Sequence, residues 1–171
     1  MNISKILLVF ILALSIVSCS SDDDNATSFE FNQANIVGVY GVTYLVSTSV
    51  ETTDVNGLDI VTVTTITGDT FDIDFTFAEN GTVLIDGAFR ETFKTVVEGQ
   101  TVLEDSEIII IDNETSNYTV TEATKVIVIA EDNYKVTAFN QNGMTLTLEE
   151  TTIETNGDSY VYNEELRLIR K

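Results

Sequence analysis

An all-β fold is predicted for this chain: an antiparallel up-and-down meander of about 8–10 strands closing into a barrel. Three observations carry that expectation. β-branched and aromatic residues dominate from Val37 onward, with threonine very common, as suits pleated, half-buried surfaces. Asn-Gly occurs four times, at Asn56-Gly57, Asn80-Gly81, Asn142-Gly143 and Asn156-Gly157. Both residues accept positive φ, which tight hairpin turns require. Apolar and polar residues alternate cleanly over Thr70 to Phe77, "TFDIDFTF", the period of a strand with one face in a core and the other in water. A meander of this length closes well into a barrel, because closure removes sticky edges. A two-sheet β-sandwich is the alternative.

The elements follow in order. "FEFNQANI", residues 29–36, is a short amphipathic lead-in, either one or two helical turns or irregular. Strands are expected near 37–53, 58–67, 70–77, 82–97, 101–111, 117–129 (broken), 133–140, 143–154 and 159–170. Gly68-Asp69 and Glu98-Gly99 read as further turns. Tyr40, Val42, Tyr44 and Val46 form one same-face row, and Phe71, Ile73, Phe75 and Phe77 another. Val83, Ile85, Phe89 and Phe93 continue the second row, with Gly87 among them. A glycine inside a strand marks a bend or bulge, which a closing barrel needs. Ile108–Ile111 and Val126–Ile129 are apolar without alternation and are expected to be covered on both faces.

The N-terminus carries the sharpest address. Lys5 supplies a positive start, and Ile6 to Val17 is apolar except for Ser15. That run is shorter than the roughly 20 residues a membrane-spanning helix needs, and reads as a signal peptide. It ends in Ile16-Val17-Ser18-Cys19, with the only cysteine of the chain. This tetrad resembles the bacterial lipobox. The resemblance implies cleavage after Ser18, a diacylglycerol on the Cys19 thiol and acylation of the new amine. Two or three acyl chains anchor firmly where one is marginal. The bland alternative is an ordinary signal peptide followed by a free cysteine.

Ser20-Ser21-Asp22-Asp23-Asp24 follows, a solvated tether by charge and length. A cysteine followed by serines and acids also resembles the export signal of Bacteroidota surface lipoproteins. The implied location is the outer membrane, lipid-anchored and cell-surface exposed, with the periplasmic face as the alternative. The domain plan is residues 1–18 signal peptide, 19–34 lipidated cysteine, acidic tether and lead-in, and 35–171 barrel.

Composition excludes several functions. With 8 basic against 28 acidic residues, the formal net charge is −20. Such a surface repels nucleic acid and anionic headgroups, leaving membrane contact to the acyl chains. No histidine is present, which rules out Ser-His-Asp and Cys-His catalysis and argues against zinc. A single cysteine permits no disulfide within the monomer. No cofactor-binding glycine loop is seen, no catalytic residue is assigned and the chain is read as a non-enzyme. Asp112, Glu114, Glu131 and Asp132 lie at expected loops, but no Asp-x-Asp-x-Asp-Gly calcium loop occurs, and no metal site is assigned.

"NIVGVYGVTYLVS" (35–47), "FDIDFTFAENGTVLI" (71–85), "GMTLTLEE" (143–150) and "EELRLIRK" (164–171) resemble, in order, segments of the lipocalin-like domain of Bacteroidota lipoproteins. The resemblance spans roughly residues 35–171. Tyr40 stands where that family places a tryptophan, and an arginine often ends its barrel. The resemblance implies a lipocalin-like barrel whose interior either holds a small apolar ligand or is filled by side chains. The lining candidates are Tyr40, Tyr44, Phe71, Phe75, Phe77 and Phe89, although rows of this kind are more often plain core. Tyr160 and Tyr162 share a face of the last hairpin, suited to cross-strand packing or to stacking on a sugar. The expected partners are the membrane, through acylated Cys19, and a small apolar ligand or an envelope protein.

Overall fold

The computed structural model describes residues 29–171. Ser18, Cys19 and the acidic tether lie outside the described residues. Among the described residues, no helix is long and apolar enough to cross a membrane.

Eight antiparallel strands follow one another round a closed ring: β1 (Gly38–Val55), β2 (Leu58–Phe77), β3 (Thr82–Val97), β4 (Gln100–Thr121), β5 (Val126–Ile129), β6 (Asp132–Asn140), β7 (Gly143–Ile153) and β8 (Ser159–Arg170). Each strand pairs with the next, and β8 returns to pair with β1 from Tyr40–Arg170 to Thr52–Ser159. The meander and its closure agree with the sequence expectation, and the sandwich is set aside. Ahead of β1, the lead-in holds one short helix, α1 (Gln33–Ile36), capped by the Asn32 side chain, which accepts the Asn35 N–H at 2.9 Å.

The turn chemistry is local and mostly as read. Asn56-Gly57 and Glu98-Gly99 join their strands as two-residue turns with both φ values positive, matching the twist of the flanking strands. Asn142-Gly143 is displaced by one residue: Asn140 pairs with Gly143, so Gln141 and Asn142 form the turn.

Three expectations are corrected. Gly68-Asp69 is not a turn, and 58–67 and 70–77 are one strand, β2, broken only by a bulge between Asp69 and Asp72. Thr70 takes a left-handed φ of 52° there. The bulge is clamped by Arg90 of β3, which donates from Nε and Nη2 to the two Asp69 carboxylate oxygens at 2.8 and 2.7 Å. Likewise, 101–111 and 112–116 are not strand and loop: β4 runs through both, bulged opposite Ile85/Gly87, with Asn113 at a φ of 50°. Asp112 and Glu114 are therefore strand residues, and Glu131 alone of the four presumed loop acids lies in a turn. Finally, Ile108 and Ile110 are not covered on both faces. They stand 60% and 76% exposed on the outer face, while Ile109 and Ile111 pack against the core.

The ring has a closed end and a ragged end. At the closed end α1 lies under the barrel, with Ile36 fully buried beneath Tyr40, Phe77, Val83 and Tyr118. Phe77 meets the Tyr40 ring edge-on at 5.6 Å and the Tyr118 ring edge-on at 5.1 Å, a geometry that the ring quadrupoles favour. At the ragged end β1 to β4 rise well above β5 and β6. β4 pairs with β5 only through Tyr118–Thr121. Above that seam, Gln100–Asn117 has β3 on one side and, among the described residues, no strand on the other.

Gly87 shows why closure needs particular residues. Its φ is 129°, and a Cβ there would sit 2.0 Å from the Asp72 carbonyl oxygen. Gly57, also at positive φ, faces open space. Gly87→Ala is therefore expected to lower unfolding free energy by at least about 2 kcal/mol, against about 1 kcal/mol for Gly57→Ala, in chemical denaturation. Equal effects at the two sites would show that close β2–β3 approach does not constrain the barrel.

Candidate functional site: an interior cavity with one carboxylate

Above the aromatic floor the barrel is hollow. A cavity of about 180 Å³ is lined by Val42, Leu45, Phe71, Ile73, Phe75, Phe89, Ile111, Tyr134, Glu164 and Leu166. Six of the eight strands contribute to it, so the cavity is a property of the closed ring. Phe71 and Phe89 stack at 6.0 Å on one wall. Larger depressions of about 510 and 390 Å³ lie outside the barrel, beside the lead-in.

The six candidates from the sequence divide three ways. Phe71, Phe75 and Phe89 line the cavity. Tyr40 and Phe77 are fully buried in the floor below it. Tyr44 is outside: a bulge between Val42 and Tyr44 in the β1–β8 pairing reverses the alternation. Leu45 takes the inward position, and the Tyr44 ring lies under the Arg167 guanidinium at 4.3 Å. The expected row Tyr40, Val42, Tyr44, Val46 is thus cut in two, because one extra residue moves every later side chain to the other face.

The second bulge, in β2, makes room as well as curvature. It brings Phe71 back to the inner face directly over Gly68, where a Cβ would stand 2.7 Å from the Phe71 ring. Opposite, on β1, Ser47 is the buried polar residue of the described chain. The bare Gly68 backbone lets the Phe71 ring and the Leu45 side chain pack against it.

The polar groups of the interior meet at Glu164. Tyr162 donates its hydroxyl to one Glu164 carboxylate oxygen at 2.6 Å, and Tyr134 to the other at 3.3 Å. Burial, and then the adjacent Glu164, push both phenols far above the usual tyrosine range. Both stay protonated, and the carboxylate accepts from both. Ser47 of β1, itself buried, pairs with Glu164 across the β1–β8 seam. Among the described residues no cation pairs with Glu164: Arg90, Lys94, Arg167 and Lys171 pair with Asp69, Glu104, Glu165 and Asp74.

Compared with family models, with curated proteins and with solved structures, this chain matches none of them. The site must be read from its own chemistry.

Two further acids share the inner face. Glu91 faces Glu107 across β3 and β4, two residues along the same face from the Phe89–Ile109 pair. Burial, then the Glu107 charge, raises the Glu91 carboxyl above its ordinary range. The described acids do not cluster for a metal: no three metal-ligating side chains converge.

Sequence reasoning passed over Tyr134 and Glu164. The signal for Glu164 was present in the row Tyr160, Tyr162, Glu164, Leu166, Leu168, where one acid interrupts an otherwise apolar or aromatic face. Tyr134 had no such signal. Its reach to Glu164 depends on how β5 and β6 close the ring.

Proposed function

We propose that this protein is a binding module of the cell envelope, with a lipocalin-like barrel that takes a small apolar ligand into the cavity over its aromatic floor. The observation that carries the reading is the cavity itself. Its walls are apolar or aromatic except at Tyr134 and Glu164, the lining expected of a preformed ligand site with a few convergent polar groups. Binding would proceed by burial of apolar ligand surface, worth about 25 cal/mol per Å² removed from water. The absence of histidine supports a binder over an enzyme, since carboxylates and tyrosines are the main titratable groups inside. Acyl chains on Cys19 would hold the barrel at the outer membrane, exposed on the cell surface or facing the periplasm, with the acidic segment after Cys19 as tether.

A second reading has one observation in its favour. The outer face of β4 exposes Ile108 and Ile110 beside an unpaired strand edge, a surface suited to an envelope protein partner.

The cavity is tested with an environment-sensitive apolar dye and native mass spectrometry of the purified protein. Wild-type protein is expected to bind the dye or to carry a small molecule that detaches on gentle activation. Leu45→Trp, which fills the cavity from β1, is expected to abolish both while unfolding cooperatively. Failure of the wild type to bind, with a clean unliganded mass, overturns the ligand reading and leaves the protein-partner one. The anchor is tested by Cys19→Ala, expected to release the protein from the membrane fraction. Undiminished membrane association would contradict lipidation at Cys19.

A further inference from the structure

We propose that the cavity selects a ligand with a cationic amine on a small apolar body, the amine seated against Glu164. This rests on the proposed ligand-binding function and adds the chemical class of the ligand.

Glu164 has an unmet electrostatic demand. The carboxylate is partly buried at the wall of an apolar cavity and has no cation beside it among the described residues. Desolvating such a charge is costly unless it is paired and hydrogen-bonded. Two tyrosine hydroxyls meet part of the demand, one on each oxygen. A carboxylate has about four lone-pair sites, so two further acceptor positions remain. An ammonium group supplies both the missing charge and the missing donors. An alcohol supplies one donor and no charge, and an anion is repelled.

Size and field point the same way. A dry apolar cavity of about 150 Å³ accepts benzene, so one of about 180 Å³ admits a single ring with a short arm. Phe71 and Phe89 offer a stacked aromatic wall to that ring. The Glu91–Glu107 pair on the inner face above Phe89 and the net charge of −20 raise the local concentration of cations.

Three probes of one shape separate the possibilities: benzylamine, benzyl alcohol and benzoate. Each is titrated into the purified protein at about 0.15 M salt, which screens the outer acids, with methyl and amide NMR shifts as the readout. Benzylamine is expected to shift resonances of Leu45, Ile111 and Tyr134 and to bind at least about tenfold tighter than benzyl alcohol, with benzoate inert. Glu164→Gln is expected to erase the amine preference while keeping benzyl alcohol affinity within about threefold. Tyr134→Phe, which retains the carboxylate, is expected to keep the preference and serves if Glu164→Gln does not fold. Equal binding of amine and alcohol overturns the amine assignment and leaves the apolar cavity standing. Benzylamine shifts confined to outer acidic residues also overturn it. Binding of none of the probes removes the cavity reading beneath it.

Discussion

One guanidinium holds the closed end of this barrel. Arg170, near the end of β8, donates from Nη1 to the Val37 carbonyl at 2.8 Å, and from Nη2 to the Asn35 carbonyl and the Tyr40 hydroxyl. Its guanidinium carbon also lies 4.7 Å from the centre of the Tyr40 ring. Hydrogen bonds to a charged group are worth about 1.5–3 kcal/mol each, and these three join the last strand to the lead-in and the first. Nearby, Arg170 N–H donates to the Asn142 carbonyl and Lys171 N–H to the Val39 carbonyl. Burial raises the Tyr40 phenol above its ordinary range, and the Arg170 charge opposes that shift. Tyr40 thus holds the floor and presents its hydroxyl oxygen to the arginine.

The rest of the architecture follows from a floor that is pinned and full. Tyr40, Phe77, Tyr118 and Ile36 are buried in one cluster at this end, and Tyr118 is fixed by its hydroxyl on the Ala78 carbonyl at 2.9 Å. Higher up, bulges in β1 and β2 turn the strands around the ring, and Ser47 and Gly68 put little bulk inside. Packing below and space above are thus set by the same residues that close the ring. The short β4–β5 seam leaves the upper wall low on one side, and Tyr134 reaches Glu164 from that side.

How much of this could be read from sequence depended on the range of each interaction. Turns were legible at Asn56-Gly57 because positive φ at two adjacent residues is a local demand that Asn-Gly meets. The inward row Phe71, Ile73, Phe75, Phe77 was legible because it lies between irregularities. The bulges in β1 and β2 were not legible, since each arises from curvature of the whole ring, whereas the irregularity at Gly87 was marked by a glycine inside a strand pattern. The β1 bulge therefore exchanged Tyr44 for Leu45 on the inner face, and the β2 bulge joined two expected strands into one. Ile108–Ile111 misled because an apolar run implies cover on both faces only where a second layer packs on the sheet, and the outer face of β4 stays exposed at Ile108 and Ile110. Glu164 was visible only as a misfit in an inward row, and its meaning needed Tyr134 from a distant hairpin.

A rigid, filled floor lies under a hollow interior, and methyl NMR during a benzene titration distinguishes the two. Saturable shifts are expected at Leu45, Ile73, Ile111 and Leu166, with Ile36 and Val83 in the floor unmoved. Shifts spread evenly through floor and interior, or no shift anywhere, would contradict that arrangement.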